Sequence, residues 1–162
     1  MKKLSILTCF LLFINLLSAK TTVYNFAEFN SRIFDEEGLL SLRDRESIDS
    51  QLASFAEESG KNIVVLTFQD ITPYENAREF CHHTAVNFAE NHPEFEGDIW
   101  LLLISSKHGL IHITATKDTE RIISHAACRS IANELIAPEF KEKNFYDGIL
   151  AGVQKLIEIH QK

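Results

Sequence analysis

Ile63-Val64-Val65-Leu66-Thr67-Phe68 is an almost unbroken β-prone run, preceded by Lys61-Asn62 and followed by Gln69-Asp70. A short, nearly continuous apolar run between polar residues reads as a strand buried on both faces. Ile99-Trp100-Leu101-Leu102-Leu103-Ile104 is a second run of the same kind. Between them Ala77, Phe80, Thr84 and Phe88 recur at helical spacing, and His92-Pro93 closes that helix. Strand, helix, strand predicts a parallel pair joined by a right-handed crossover.

The pattern extends in both directions. On the N-terminal side, Ser41 with Asp44 forms a capping box, Ile48, Leu52 and Phe55 mark one face, and Gly60 is a stop. Thr72, Pro73 and Glu75 spell a second start, with Thr72 as the cap of the crossover helix. On the C-terminal side, Ser105-Ser106-Lys107-His108-Gly109 turns the chain into Leu110–Thr116, whose alternation predicts an antiparallel hairpin partner. A helix over Ser124–Ile136 is expected to stop at Ala137-Pro138. A last helix, capped by Asn144 with Asp147, turns Phe145, Ile149, Val153 and Leu156 inward. The expected fold is α/β: a small mixed β-sheet with helices on both faces, an α/β/α sandwich.

The first residues concern destination. Lys2 and Lys3 precede an apolar stretch, Leu4–Leu17, and Ser18-Ala19 supplies small residues ahead of Lys20. This is the layout of a secretory signal peptide cleaved after Ala19. The stretch is shorter than the ~20 residues a membrane anchor requires, and Cys9 within it lacks a lipobox. The expected organisation is a signal at 1–19, a lead-in at 20–32 with a strand near Thr22–Phe26, and one domain at 33–160. Such a protein is periplasmic or secreted, soluble, and without a transmembrane segment once cleaved.

Cleavage removes two lysines and no acid, which takes the formal charge from −7 to −9. An acidic surface repels phosphate backbones, which argues against a nucleic-acid partner. Cys81 and Cys128 remain after cleavage. In an oxidising compartment they either bridge or rest as two core thiols.

Several segments resemble the TPM domain family. Asp35-Glu36-Glu37-Gly38-Leu39-Leu40-Ser41 is similar to its D-x-x-G-L-L-S opening. Gly60–Thr67 and Trp100–Ile104 resemble its two central strands, and Ile136–Ile149 its closing motif around Pro138, Phe140, Tyr146 and Gly148. The resemblance runs from about residue 33 to 158. It implies an α/β sandwich facing an extracytoplasmic space, with a small acidic site for Ca²⁺ or a similar ion. Family members include a thylakoid-lumen acid phosphatase, a photosystem-repair factor and a nematode receptor modulator, so a shared fold carries divergent functions. Ser124-His125 replaces the family's Thr-Asp, and Thr114–Asp118 replaces a glycine-bearing segment. Imidazole suits a hard cation poorly.

Asp35, Asp70 and Asp98 are the candidate metal ligands. Asp35 lies in a loop before a helix, where a carboxylate also serves as a turn or cap residue. Asp70 follows the first buried strand and approaches Asp35 at the strands' C-terminal edge, where open α/β sheets bind ligands. Two or three carboxylates with carbonyls suit Ca²⁺ or Mg²⁺. Asp98 and His125 belong to the opposite end of the sheet. Cys81, His82 and His83, consecutive on a helix, point about 100° apart and do not chelate together.

Catalytic signatures such as G-x-S-x-G, H-E-x-x-H and a phosphate-cradling glycine loop are missing. Two functions follow: a binding or maintenance module for a membrane or secreted protein, possessing a weak divalent-ion site, or a metal-assisted acid phosphatase hydrolysing phosphomonoesters.

Overall fold

The computed structural model describes residues 31–93, 95, 99–115 and 123–161. The signal peptide and the Thr22–Phe26 strand lie outside the described residues.

Among the described residues, four strands make one sheet in the order β1-β2-β3-β4. β1 is Ile33–Asp35, β2 Asn62–Thr67, β3 Ile99–Ser105 and β4 Leu110–Ala115. The first three are parallel, and β4 returns antiparallel against β3, with Ser105 opposite Leu110. The expected three-stranded core is present, and β1 adds a short edge that pairs Asp35 with Thr67. Every residue of β2 and β3 is buried.

The period-two alternation divides those buried strands between two cores. Ile63, Val65, Trp100, Leu102 and Ile104 face one way, against Ile48, Leu52 and Phe55 of α1 (Leu42–Ser59) and Ile149, Val153 and Leu156 of the C-terminal helix. Val64, Leu66, Leu101 and Leu103 face the other way, against Phe80, Cys81 and Phe88 of α2 (Ala77–Asn91). Helices therefore cover both faces, as a sheet with two apolar sides requires. Cys81 is buried in the second core and Cys128 packs against the first; both are free thiols on opposite sides of the sheet.

Local signals explain most helix ends. Ser41 Oγ accepts from Asp44 N at 3.2 Å while Asp44 Oδ2 accepts from Ser41 N at 3.3 Å, a complete capping box for α1. The start of α2 differs from the sequence expectation. Thr72 does not cap it: its N–H and hydroxyl both donate to Asp70 Oδ1, at 3.1 and 2.8 Å. The helix begins at Ala77, where Asn76 Oδ1 accepts from Glu79 N at 3.0 Å. An acid two residues upstream captured the hydroxyl that the Thr72–Glu75 box needed.

The expected stop at Ala137-Pro138 is also overturned. α3 (His125–Ser130) continues through a π-helical stretch, Ile131–Ile136, into α4 (Ala137–Lys141). Proline lacks an N–H and its ring collides with the carbonyl four residues back in an α-helix. The wider turn, with Ala137 N–H reaching Ala132 O, carries the chain past that clash and leaves Pro138 in the first turn of α4. In α5 (Phe145–His160), Asn144 occupies the cap position, but its amide donates to Glu139 Oε2 at 3.0 Å instead of capping. Gly148 and Gly152 of α5 let the helix lie close to α4 and the π-helical stretch. A Cβ at Gly148 would meet Phe140 at 2.9 Å, and one at Gly152 would meet Ile136 at 2.6 Å. Among the described residues no helix is long and apolar enough to cross a membrane.

Candidate functional site

Because β1, β2 and β3 are parallel, their C-terminal ends, Asp35, Thr67 and Ser105, share one edge of the sheet. The loops leaving those ends carry most of the polar residues singled out in the sequence. Open α/β sheets hold ligands at this edge.

The Asp35 carboxylate organises the loop that follows it. Oδ1 accepts the Leu39 N–H at 3.0 Å and the Thr67 hydroxyl at 2.7 Å, and Oδ2 accepts the Leu40 N–H at 2.9 Å. Gly38 N–H donates to Asp35 O at 3.3 Å, and its φ of 67° lies in the left-handed region that glycine enters without strain. Thr67 Oγ1 in turn accepts the Glu37 N–H at 3.1 Å. The hydroxyl thus gives its proton to one acid and receives one from the backbone of another, which locks the loop onto β2.

Glu37 reaches the third strand. Its Oε2 accepts the Ser106 N–H at 2.9 Å, and Oε1 accepts the Lys107 N–H and the Ser105 hydroxyl, each at 3.4 Å. Gln69 Nε2 donates to Glu36 O at 2.9 Å, a second tie between the acidic loop and the chain after β2. The Glu36 side chain is different. Its Oε2 is shielded from solvent and accepts no hydrogen bond from the described residues.

The three candidate ligands fare differently. Asp35 sits at this edge, with its oxygens turned onto its own loop and Thr67. Asp70 sits in the loop after β2, bonded to Thr72 and 3.8 Å from His108 Nε2 across the β3–β4 turn. The Thr72 hydroxyl and amide, aided by Lys107, hold its carboxyl below the ordinary 3.8. Asp98 lies outside the described residues. Among the described residues no three His, Cys, Asp or Glu side chains gather closely enough to hold a metal ion. The Asp35 and Glu37 carboxylates are already engaged by backbone N–H and hydroxyl donors, so the described side chains do not form a closed cation cage.

Elsewhere, Cys81 points into the core while His82 and His83 are exposed, with His83 stacked on Tyr74 at 5.2 Å. His125 opens α3 near His112, whose pKa is lowered by burial first and then by His125 and Arg78.

Thr67 and Ser105–Lys107 are the residues that sequence reasoning missed, while Glu37 stood out only as an acidic neighbour of Asp35. A signal for them exists: Thr67 is the polar residue at the end of an apolar strand, and Ser105-Ser106 follows the other. Polar groups at the C-terminal ends of parallel strands are where a ligand edge is built.

Several solved structures share the fold. The N-terminal domain of a protein from P. gingivalis is similar with a TM-score of 0.67 at 16% identity, over 83% of this chain and 85% of that one. The BA42 protein of the psychrophilic bacterium Bizionia argentinensis gives a TM-score of 0.59 at 16% identity, over 76% and 83%. The N-terminal domain of the cg2496 protein of Corynebacterium glutamicum gives 0.53 at 11%, over 80% of each. No curated protein matches by sequence. The TPM domain profile matches residues 33–159, nearly all of the chain that the structure describes, and the chain belongs to the TPM domain family.

Proposed function

We propose that this TPM domain is exported and acts in the periplasm or outside the cell as a binding or maintenance module for a membrane or secreted protein. It engages that partner through the loops at the C-terminal edge of the sheet, with a weak Ca²⁺ or Mg²⁺ site in the acidic loop. The observation that carries the reading is the arrangement of this edge. Asp35, Thr67 and Glu37 bind three strand ends into one rigid platform, and that platform leaves a shielded Glu36 oxygen without a donor. A carboxylate oxygen in such a position is stabilised by a cation. Asp35 shapes the loop and Asp70 supplies a second carboxylate from the neighbouring loop. The bound ion would contribute a positive charge to which a partner's oxygen atoms can be added.

The test is capture of the partner from native membranes by the tagged protein, in calcium and in chelator, with Glu36→Gln and Asp70→Asn variants alongside. The reading predicts one partner retained in calcium and weakened by chelator and by both variants. Capture indifferent to all three would remove the edge from the account. Sustained phosphomonoester hydrolysis by the pure protein, abolished in a folded Asp35→Asn variant, would replace it with the phosphatase reading.

A further inference from the structure

The β3–β4 turn has the form of an oxyanion seat. Two successive backbone N–H groups, Ser106 and Lys107, and the hydroxyl of Ser105 converge on one carboxylate, at 2.9, 3.4 and 3.4 Å. Consecutive amides aimed at one point form a concave anion-binding arrangement. Ser105 is wholly buried, so its hydroxyl is held in place by the sheet, while Ser106 and Lys107 are exposed and open to an incoming group. The Lys107 ammonium adds positive charge nearby, felt as far as Asp70. The carboxylate in the seat belongs to the chain itself, 69 positions before Ser106.

We propose that this turn is a binding site for a small oxyanion, phosphate or carboxylate, and that Glu37 occludes it as an internal ligand. The β3–β4 pairing through Ser105 and Leu110 does not involve Glu37. The wholly buried Ser105 hydroxyl, however, takes its acceptor from the seat, so an oxyanion that displaces Glu37 must replace that acceptor. A tethered carboxylate acts at an effective concentration of order millimolar, so free anions below that concentration lose the competition while Glu37 is in place. Removal of Glu37 exposes the seat. This inference does not depend on the divalent-ion site, since the donors are amides and a hydroxyl.

The experiment is an amide-resolved NMR titration of the purified protein with inorganic phosphate, in chelator and at constant ionic strength set with chloride. In Glu37→Ala, the Ser106 and Lys107 amides are expected to shift saturably, with a midpoint in the millimolar range. In the wild type the same shifts require more phosphate, about twofold or greater, because the tethered carboxylate competes. Glu37→Gln, which keeps the side-chain shape but lacks the charge, falls between them and serves if the alanine variant does not fold. Equal midpoints in wild type and variants, or no movement at Ser106 and Lys107 in a folded variant, would overturn the proposal. The absence of calcium keeps this outcome separate from the ion reading.

Discussion

Asp35 and Thr67, 32 positions apart, face each other in register on adjacent parallel strands and share a 2.7 Å hydrogen bond from hydroxyl to carboxylate. Through it the acidic loop, the end of β2 and, by way of Glu37, the end of β3 become one unit. Asp35 is therefore a positioning residue, its two oxygens spent on Leu39, Leu40 and Thr67.

This makes Asp35→Asn a stability variant. One carboxamide position presents donors where Leu39 N–H, Leu40 N–H and the Thr67 hydroxyl need acceptors. Hydrogen bonds to a charged group contribute about 1.5–3 kcal/mol each, so a loss of about 2–4 kcal/mol is expected in urea unfolding. Thr67→Val should cost less, and the double variant should lose less than the two added together, since both share one bond. Strict additivity would show that the two side chains act independently.

The close approach of α5 gives a second test. In Gly152→Ala the new methyl lies 2.6 Å from Ile136 Cδ1, in a side chain with no exposure. Overpacking of about 1–3 kcal/mol opposes a helix-propensity gain of about 1 kcal/mol, so a net loss of up to about 2 kcal/mol is expected. Ile136→Val removes the colliding atom, so the alanine should cost less in that background. An alanine as costly in the Ile136→Val background as in the wild type would mean the strain lies elsewhere.

Burial pushes the Cys81 thiol from its ordinary 9.0 up to about 12. Between those values the unfolded chain has lost the proton and the native one keeps it, so stability falls as pH rises from about 9 towards 12. The decline should be shallower in Cys81→Ala. In native protein at neutral pH, a thiol reagent should label Cys128 before Cys81. Rapid labelling of Cys81 would contradict its place in the core.

Legibility in the sequence followed burial. β2 and β3 were readable because both of their faces are apolar, and α1 because Ser41, Asp44 and Gly60 punctuate it. β1 was not, since three residues are too few for a period and their pairing depends on β2. Thr72 and Pro138 misled for a common reason: local signals were overridden by partners that the pattern does not weigh, the Asp70 carboxylate and a π-helical detour. At the site, Asp35 and Asp70 stood out as acids in loops. Thr67 and Ser105–Lys107 did not, because their roles arise from contacts 30 to 70 positions away along the chain.

The central claim is that the C-terminal edge of the sheet is where the protein binds. An amide-resolved NMR titration with calcium, up to about 10 mM because open sites of this kind bind extracellular calcium at ~10⁻⁴–10⁻³ M, tests it most directly. The account predicts saturable shifts confined to residues 35–40, 67–70 and 105–109, lost or much weakened in Glu36→Gln. No shift across that range, or shifts centred on the opposite end of the sheet around Trp100 and His92, would contradict it.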